Sequence, residues 1–193
     1  MNIKKEIREW SIFIAVLGIL YFTGLYTEVA GFAQRVVLTS GLITPNTEIE
    51  GVTNEKLDYN FKLIDLEGNI VPMENFKNKV IFINEWATWC PPCIAEMPSI
   101  QNLYDEIGDN ENIVFVMLTL DGNKKKIEKF IQKKDFTFPI YGAASALPEV
   151  LKSASIPTTF VVSKTGDIIS KKVGMAKYDT DKFKAFMLEA SKK

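Results

Sequence analysis

The sequence predicts an α/β layer fold: a mixed β-sheet flanked by helices, preceded by an apolar amino-terminal helix. Three observations carry this reading. Strand-length runs rich in Val, Ile and Phe alternate with stretches of helical apolar spacing. One run, "NIVFVMLTL" (112–120), is continuously apolar, as expected for a strand covered on both faces. Two pairs of short runs flank turn residues and read as antiparallel hairpins, so the sheet cannot be purely parallel.

The elements follow in order. "NFKLIDLEGNIV" (60–71) reads as two short strands around Glu67-Gly68-Asn69, and "KVIFINEWA" (79–87) as a strand by its Val, Ile and Phe content. "IAEMPSIQNLYDEIG" (94–108) has helical spacing at Ile94, Met97, Ile100 and Leu103; Gly108 is its stop, and Pro98 predicts a kink. After the 112–120 strand, "GNKKKIEKFIQKKD" (122–135) is an amphipathic helix with Ile127, Phe130 and Ile131 inward and a solvated lysine face. "FTFPIY" (136–141) reads as a short strand and "ALPEVLKSA" (146–154) as a short helix. "PTTFVVSKTGDIISKKVG" (157–174) reads as a hairpin turning at 164–167, and "TDKFKAFMLEASK" (180–192) as a closing helix capped by Thr180 or Asp179. No internal repeat or low-complexity tract interrupts this order.

The amino end has a different character. Lys4, Lys5 and Arg8 precede an uncharged run, Trp10–Thr27, which as a helix would extend roughly 27 Å against a hydrocarbon core of ~30 Å. Trp10 and Tyr26 suit the two interfaces, and the lysines and arginine ahead of the run keep that end cytoplasmic. Residues 1–9 then form a cytoplasmic tail, 10–27 a single-pass anchor in the cytoplasmic membrane, and 28–56 a linker. Residues 57–193 form the globular domain on the extracytoplasmic, or periplasmic, side. A cleaved signal peptide ending at Gly31-Phe32-Ala33 also fits, as does a buried core helix. The apolar run is longer than a signal-peptide core, and Val36-Val37-Leu38 extends it, which favours the anchor.

Composition narrows the chemistry. The chain has 193 residues, 47% hydrophobic and 24% charged, with a net charge of −1, enough apolar content for a packed domain. No basic block with interleaved aromatics points to nucleic acid. There is no histidine, which removes the usual general base and the commonest transition-metal ligand. With two cysteines and no histidine a closed zinc site is disfavoured, so no metal or cofactor is expected. Ile94 follows the second cysteine, which excludes covalent haem attachment.

Both cysteines lie in "WATWCPPC" (86–93). If Cys90 sits at a helix start, unpaired N–H groups and the helix dipole favour its thiolate. Cys93, one turn later, is close enough to resolve a mixed disulfide. Pro91 and Pro92 have no N–H to offer the sulfur, which implies a less stabilised thiolate and a more reducing couple. A purely structural disulfide is the bland alternative, but so small a loop restrains little of the unfolded chain.

"WATWCPPC" followed by "IAEMP", and "IPTTFVV" some sixty residues later, resembles the thioredoxin-like superfamily, in particular the membrane-anchored TlpA/ResA group of bacterial thiol–disulfide oxidoreductases. The resemblance covers about residues 57–193. It implies a thioredoxin-like fold, Cys90 as the exposed nucleophile and Cys93 as the buried resolving thiol. Trp86 and Trp89 match the aromatic residues around the site. Pro157 matches the family's cis-proline, and with Trp89, Pro91 and the backbone of Ile156 it would receive an extended substrate segment by strand addition. Glu96, three residues after Cys93, matches an acid near the site and could accept the Cys93 proton; a surface glutamate is the alternative. The buried aspartate common in thioredoxins is replaced by Asn84. Glu85, its neighbour, must face the other way, and burial should raise its pKa. It either tunes the cysteines or is held as structural support.

The function implied is disulfide reduction in exported cysteine proteins, apocytochromes among them, with electrons from a separate transmembrane thiol donor, since the span has no cysteine. Two rivals are a thioredoxin-fold peptide-binding module with incidental redox activity and a peroxiredoxin-like peroxidase. The peroxidase pattern Pro-x-x-x-Thr-x-x-Cys is missing, because Ile83 and Ala87 occupy those positions.

Overall fold

The computed structural model describes residues 3–23, 31, 34, 36, 38, 43–45 and 55–192. Helix α1 (Ile3–Thr23) comes first. Strands β1 (Lys62–Asp65) and β2 (Ile70–Pro72) form a hairpin, and a 3-10 turn at Met73–Phe76 leads to β3 (Val80–Trp86). Two βαβ units follow, through α2 (Pro91–Ile107), β4 (Ile113–Thr119), α3 (Lys124–Lys134) and β5 (Ile140–Ala143). The hairpin β6 (Thr158–Val162) and β7 (Ile168–Val173) precedes α4 (Asp181–Ala190). The sheet order is β2-β1-β5-β4-β3-β6-β7. The three strands β5, β4 and β3 are parallel, and antiparallel strands extend the sheet on both sides. The sheet is therefore mixed, as the sequence predicts.

Strand β3 is central and buried along its whole length. Its period-2 geometry sorts the side chains onto two faces. Val80, Phe82 and Trp86 belong to a core with Met97 and Ile100 of α2 and Phe183 of α4. Ile81 and Ile83 belong to a second core with Val116, Phe160 and Val162, closed by Leu57, Phe61, Met73 and Leu151 from connecting segments. This alternation places Asn84 in the row under α2 and Glu85 in the row under the connecting segments.

The differences from the predicted elements have local causes. Strand β5 begins at Ile140, after Pro139, which has no N–H for a ladder. The helix expected at 146–154 is one 3-10 turn, Glu149–Leu151, with Pro148 as its cap and Lys152 already outside helical geometry. α2 runs through Pro98 without ending. Two caps escaped prediction: Asn123 accepts from Lys126 N–H, and Asp135 takes the left-handed conformation that ends α3. Thr180 caps α4 by accepting from Phe183 N–H at 3.2 Å. Backbone hydrogen bonds tie the described part of the lead-in before residue 57 to the domain. The Ile43 carbonyl accepts from Lys177 N–H at 3.0 Å, and the Glu55 carbonyl from Ile168 N–H at 3.1 Å.

No helix among the described residues is long and apolar enough to cross a membrane. The first turns of α1 carry Lys4, Lys5, Glu6, Arg8 and Glu9, and residues 24–27 of the expected span lie outside the described residues, as does most of the 28–56 linker with its Phe32 and Ala33.

Phe82 is fully buried, with its ring 5.1 Å from Phe115, 5.3 Å from Tyr178 and 6.2 Å from Phe183. Phe82→Ala is expected to cost about 3–5 kcal/mol in urea unfolding, the range for emptying a packed aromatic site. A cost under about 1 kcal/mol would contradict this account of the core.

Candidate active site at the β3–α2 junction

Strand β3 ends at Trp86, and three residues of turn bring the chain to Cys90, the N-cap of α2. The turn is tied at several points. Cys90 N–H donates to the Ala87 carbonyl at 3.2 Å, and Leu120 N–H donates to the Trp86 carbonyl at 2.9 Å. Asp121, its side chain only 5% exposed, grips Thr88 with both oxygens: the Thr88 N–H donates to Oδ2 at 2.6 Å and its hydroxyl to Oδ1 at 3.1 Å. Sequence reasoning missed Asp121. Its position at the end of β4, beside the end of β3 in a parallel pair, is the one signal that could have found it.

Cys90 and Cys93 form a disulfide with Cα atoms 5.3 Å apart. Pro91 and Pro92 occupy the first two helical positions, so the first N–H available to the Cys90 sulfur is that of Cys93, which points at Sγ from 3.3 Å. One N–H in place of two or three is the geometric content of the Pro-Pro pair. The Ile156–Pro157 peptide bond is cis, as the resemblance implies, and the Ile156 carbonyl oxygen lies 3.8 Å from Cys90 Sγ. Cys90, expected to be exposed, is only 4% exposed, because its sulfur is tucked between the first turn of α2 and the Ile156 carbonyl. Trp89 beside it is half exposed, Pro91 and Ile156 are half-buried, and Cys93 is fully buried. Trp86 is a core residue, fully buried with its ring 5.8 Å from Phe130.

Glu96 is not a surface residue. It is fully buried, one turn beyond Cys93 on α2, and accepts from Asn84 Nδ2 at 2.8 Å and from Ala176 N–H at 3.0 Å. Asn84 Nδ2 also donates to Thr159 Oγ1 at 2.9 Å, which accepts from Tyr178 OH at 2.6 Å. Asn84, in the position of the missing aspartate, thus holds a different acid. Burial pushes the Glu96 carboxyl up to about 8, against the downward pull of those donors and of Lys172. Burial and the Glu96 charge likewise raise the Tyr178 phenol. Thr159, Ala176 and Tyr178 carried no sequence signal, because they reach the site only through the hairpin and the loop after it. Glu85 points to the other face, away from the Glu96 carboxyl.

Between the ordinary 4.5 and about 8, Glu96 is protonated in the folded disulfide form and ionised in the unfolded chain. Folding takes up that proton, so the contribution of Glu96 to stability is largest below about 4.5 and falls as pH rises to about 8. Relative to Glu96→Gln, the wild type is expected to lose on the order of a few kcal/mol of unfolding free energy between pH 5 and 8. Urea titrations across that range measure it, and parallel pH profiles for the two chains would contradict it.

The redoxin family model matches residues 52–185. The chain is similar to the thiol-disulfide oxidoreductase ResA of Oceanobacillus iheyensis, 32% identical over 170 residues, which cover 86% of this chain and 83% of that protein. It is also similar to the ResA of Geobacillus kaustophilus, 27% identical over 160 residues, covering 81% and 79%. The crystal structure of StoA from Bacillus subtilis superposes with a TM-score of 0.54 at 28% identity, over 65% of this chain and 94% of that one. With a Cys-x-x-Cys disulfide at the N-cap of a helix in a thioredoxin-like sheet, the chain belongs to the redoxin family and is a thiol–disulfide oxidoreductase of the ResA type.

Proposed function

We propose that this enzyme works outside the cytoplasm as a reductant of disulfides in exported proteins, tethered to the membrane by its amino-terminal segment. The observation that carries the reading is the cap of α2: a sulfur with a single backbone N–H and two prolines where further donors would stand. A thiolate held by fewer donors is a better electron source, since stabilising the reduced form makes a couple oxidising. The uncharged run from Trp10, with lysines and an arginine ahead of it, supports the tether.

In the forward direction the Cys90 thiolate attacks one sulfur of a client disulfide. The client S–S bond breaks, one client thiolate departs and a mixed disulfide forms. Cys93 then gives its proton to Glu96 and attacks Cys90 Sγ, which closes the Cys90–Cys93 disulfide and releases the second client thiolate. Two electrons have passed to the client. A thiol donor resets the enzyme, and the proton on Glu96 returns to Cys93. The raised carboxyl fits the product of this step: in the disulfide form Glu96 holds a proton up to a pH of about 8. Trp89 and Pro91 flank Cys90 in the chain and the Ile156 carbonyl stands 3.8 Å from its sulfur, which supports these residues and Pro157 as the proposed seat of the client chain, with Trp86 as support. ResA-type relatives make exported cysteine proteins, apocytochromes among them, the clients to test, with a transmembrane dithiol protein as the donor.

In cells, Cys93→Ser is expected to accumulate disulfide-linked adducts through Cys90. Cys90→Ser should accumulate none, and the purified wild type should reduce insulin. Adducts that persist in Cys90→Ser, or rapid peroxide consumption without insulin reduction, would overturn this function.

A further inference from the structure

Glu85 is the one carboxylate of β3, and the mechanism above makes no use of it. It follows Ile81 and Ile83 in an apolar row, and its register partners, Leu118 on β4 and Thr158 on β6, carry no charge. It is 2% exposed, and its Oε2 has no hydrogen-bond partner. Ser153 Oγ is a second buried oxygen left without a completed hydrogen bond. The sheet register brings the two regions together: Glu85 pairs with Thr158, whose hydroxyl holds the Ser155 carbonyl two residues after Ser153. The Ser153 hydroxyl lowers the Glu85 pKa, as does Lys171 of β7, while burial, the largest effect, raises it to about 6. A leucine would fill this row at no desolvation cost, so a buried acid here needs a use.

The segment above Glu85 supplies one. Residues 152–156 run from the Glu149–Leu151 turn, anchored by buried Leu151, directly into the cis Ile156–Pro157 bond. The first residue of β6 grips the same segment, because the Thr158 hydroxyl donates to the Ser155 carbonyl at 2.8 Å. The Ile156 carbonyl at the segment's end stands 3.8 Å from Cys90 Sγ. We propose that Glu85 is a positioning residue for the client chain, drawing Ser153 down onto the end of β3 so that the Ile156 backbone stands where an extended client segment can pair with it. This rests on the disulfide-exchange function proposed above, with strand addition beside Pro157.

The ionised carboxylate attracts both the Ser153 hydroxyl and the Lys171 ammonium; the protonated acid loses most of both. The remaining charges on this side are surface groups: Glu55, Lys56, Asp58 and Glu149 line a cavity of about 470 Å³ with Lys171, Lys56 also pairs with Asp167, and Lys152 pairs with Glu149. The clasp is therefore closed above a pH of about 6 and released below it.

The test compares the full chain acting on a disulfide-bonded peptide and on a small aromatic disulfide that pairs with no backbone. In the wild type, KM for the peptide is expected to rise severalfold as pH falls from 7.5 to 5, while kcat for the peptide and turnover of the small disulfide follow the thiol chemistry alone. Glu85→Leu and Ser153→Ala should raise the peptide KM about three- to tenfold at pH 7.5 and leave small-disulfide turnover unchanged. Glu85→Gln is uncharged at every pH, like the protonated acid, so its KM should already be raised at pH 7.5 and should lose its pH dependence. An unchanged KM in Glu85→Leu and Ser153→Ala, or a Glu85→Gln chain that keeps the acid rise, would overturn the inference while wild-type turnover stays intact. A wild type that turns over neither substrate would overturn the proposed function, and this inference with it.

Discussion

The chemistry depends on one backbone constraint: β3 must stop and α2 must start within three residues, with a sulfur at the cap. Everything around the junction holds that spacing. Leu120 ties back the end of β3, Asp121 holds Thr88 in the turn, and the Ala87 carbonyl receives the Cys90 N–H. If the turn lengthened, Cys90 would leave the end of the helix and its sulfur would lose the Cys93 N–H. The small disulfide loop adds little to global stability. The fold supports the cysteines, and they do not support the fold.

The two faces of β3 divide the remaining work. On one face Asn84 reaches Glu96 beneath the cysteines, in a hydrogen-bonded chain that continues through Thr159 to Tyr178. On the other, Glu85 lies under the segment that ends at Pro157. Both acids are buried and burial raises both carboxyls, but the opposing groups differ: Glu96 accepts from Asn84 and Ala176, whereas the Ser153 hydroxyl and Lys171 draw Glu85 down. Neighbours in sequence, Asn84 and Glu85 thus lie on opposite faces of the sheet, which the pleat of a single strand makes possible.

Much of this was legible in the residues. The apolar runs placed β3, β4 and the β6–β7 hairpin, and the period of 2 put Asn84 and Glu85 on opposite faces. "WATWCPPC" and "IPTTFVV" located the disulfide and the cis-proline that faces it. What escaped has physical causes. Pro139 has no N–H for the ladder, which delays β5, and the 146–154 helix is confined to one turn because Lys152 has already left helical geometry. The burial of Glu96 depends on residues some sixty to eighty positions away, and local spacing does not register them. The grip of Asp121 on Thr88 depends on two strand ends lying side by side. The low exposure of Cys90 follows from the Ile156 carbonyl, which arrives just before β6, a strand some seventy positions later that pairs beside β3.

The central claim is that the helix cap activates Cys90, with one N–H where others could have stood. The direct measurement is the pH dependence of Cys90 alkylation in the reduced chain carrying Cys93→Ser. The account predicts a midpoint clearly below the ordinary thiol value of ~8.5 and well above the ~3.5 of a strongly oxidising enzyme. A midpoint at or above ~8.5 would mean that the cap does not activate the sulfur. One near ~3.5 would mean that the prolines withhold nothing that matters.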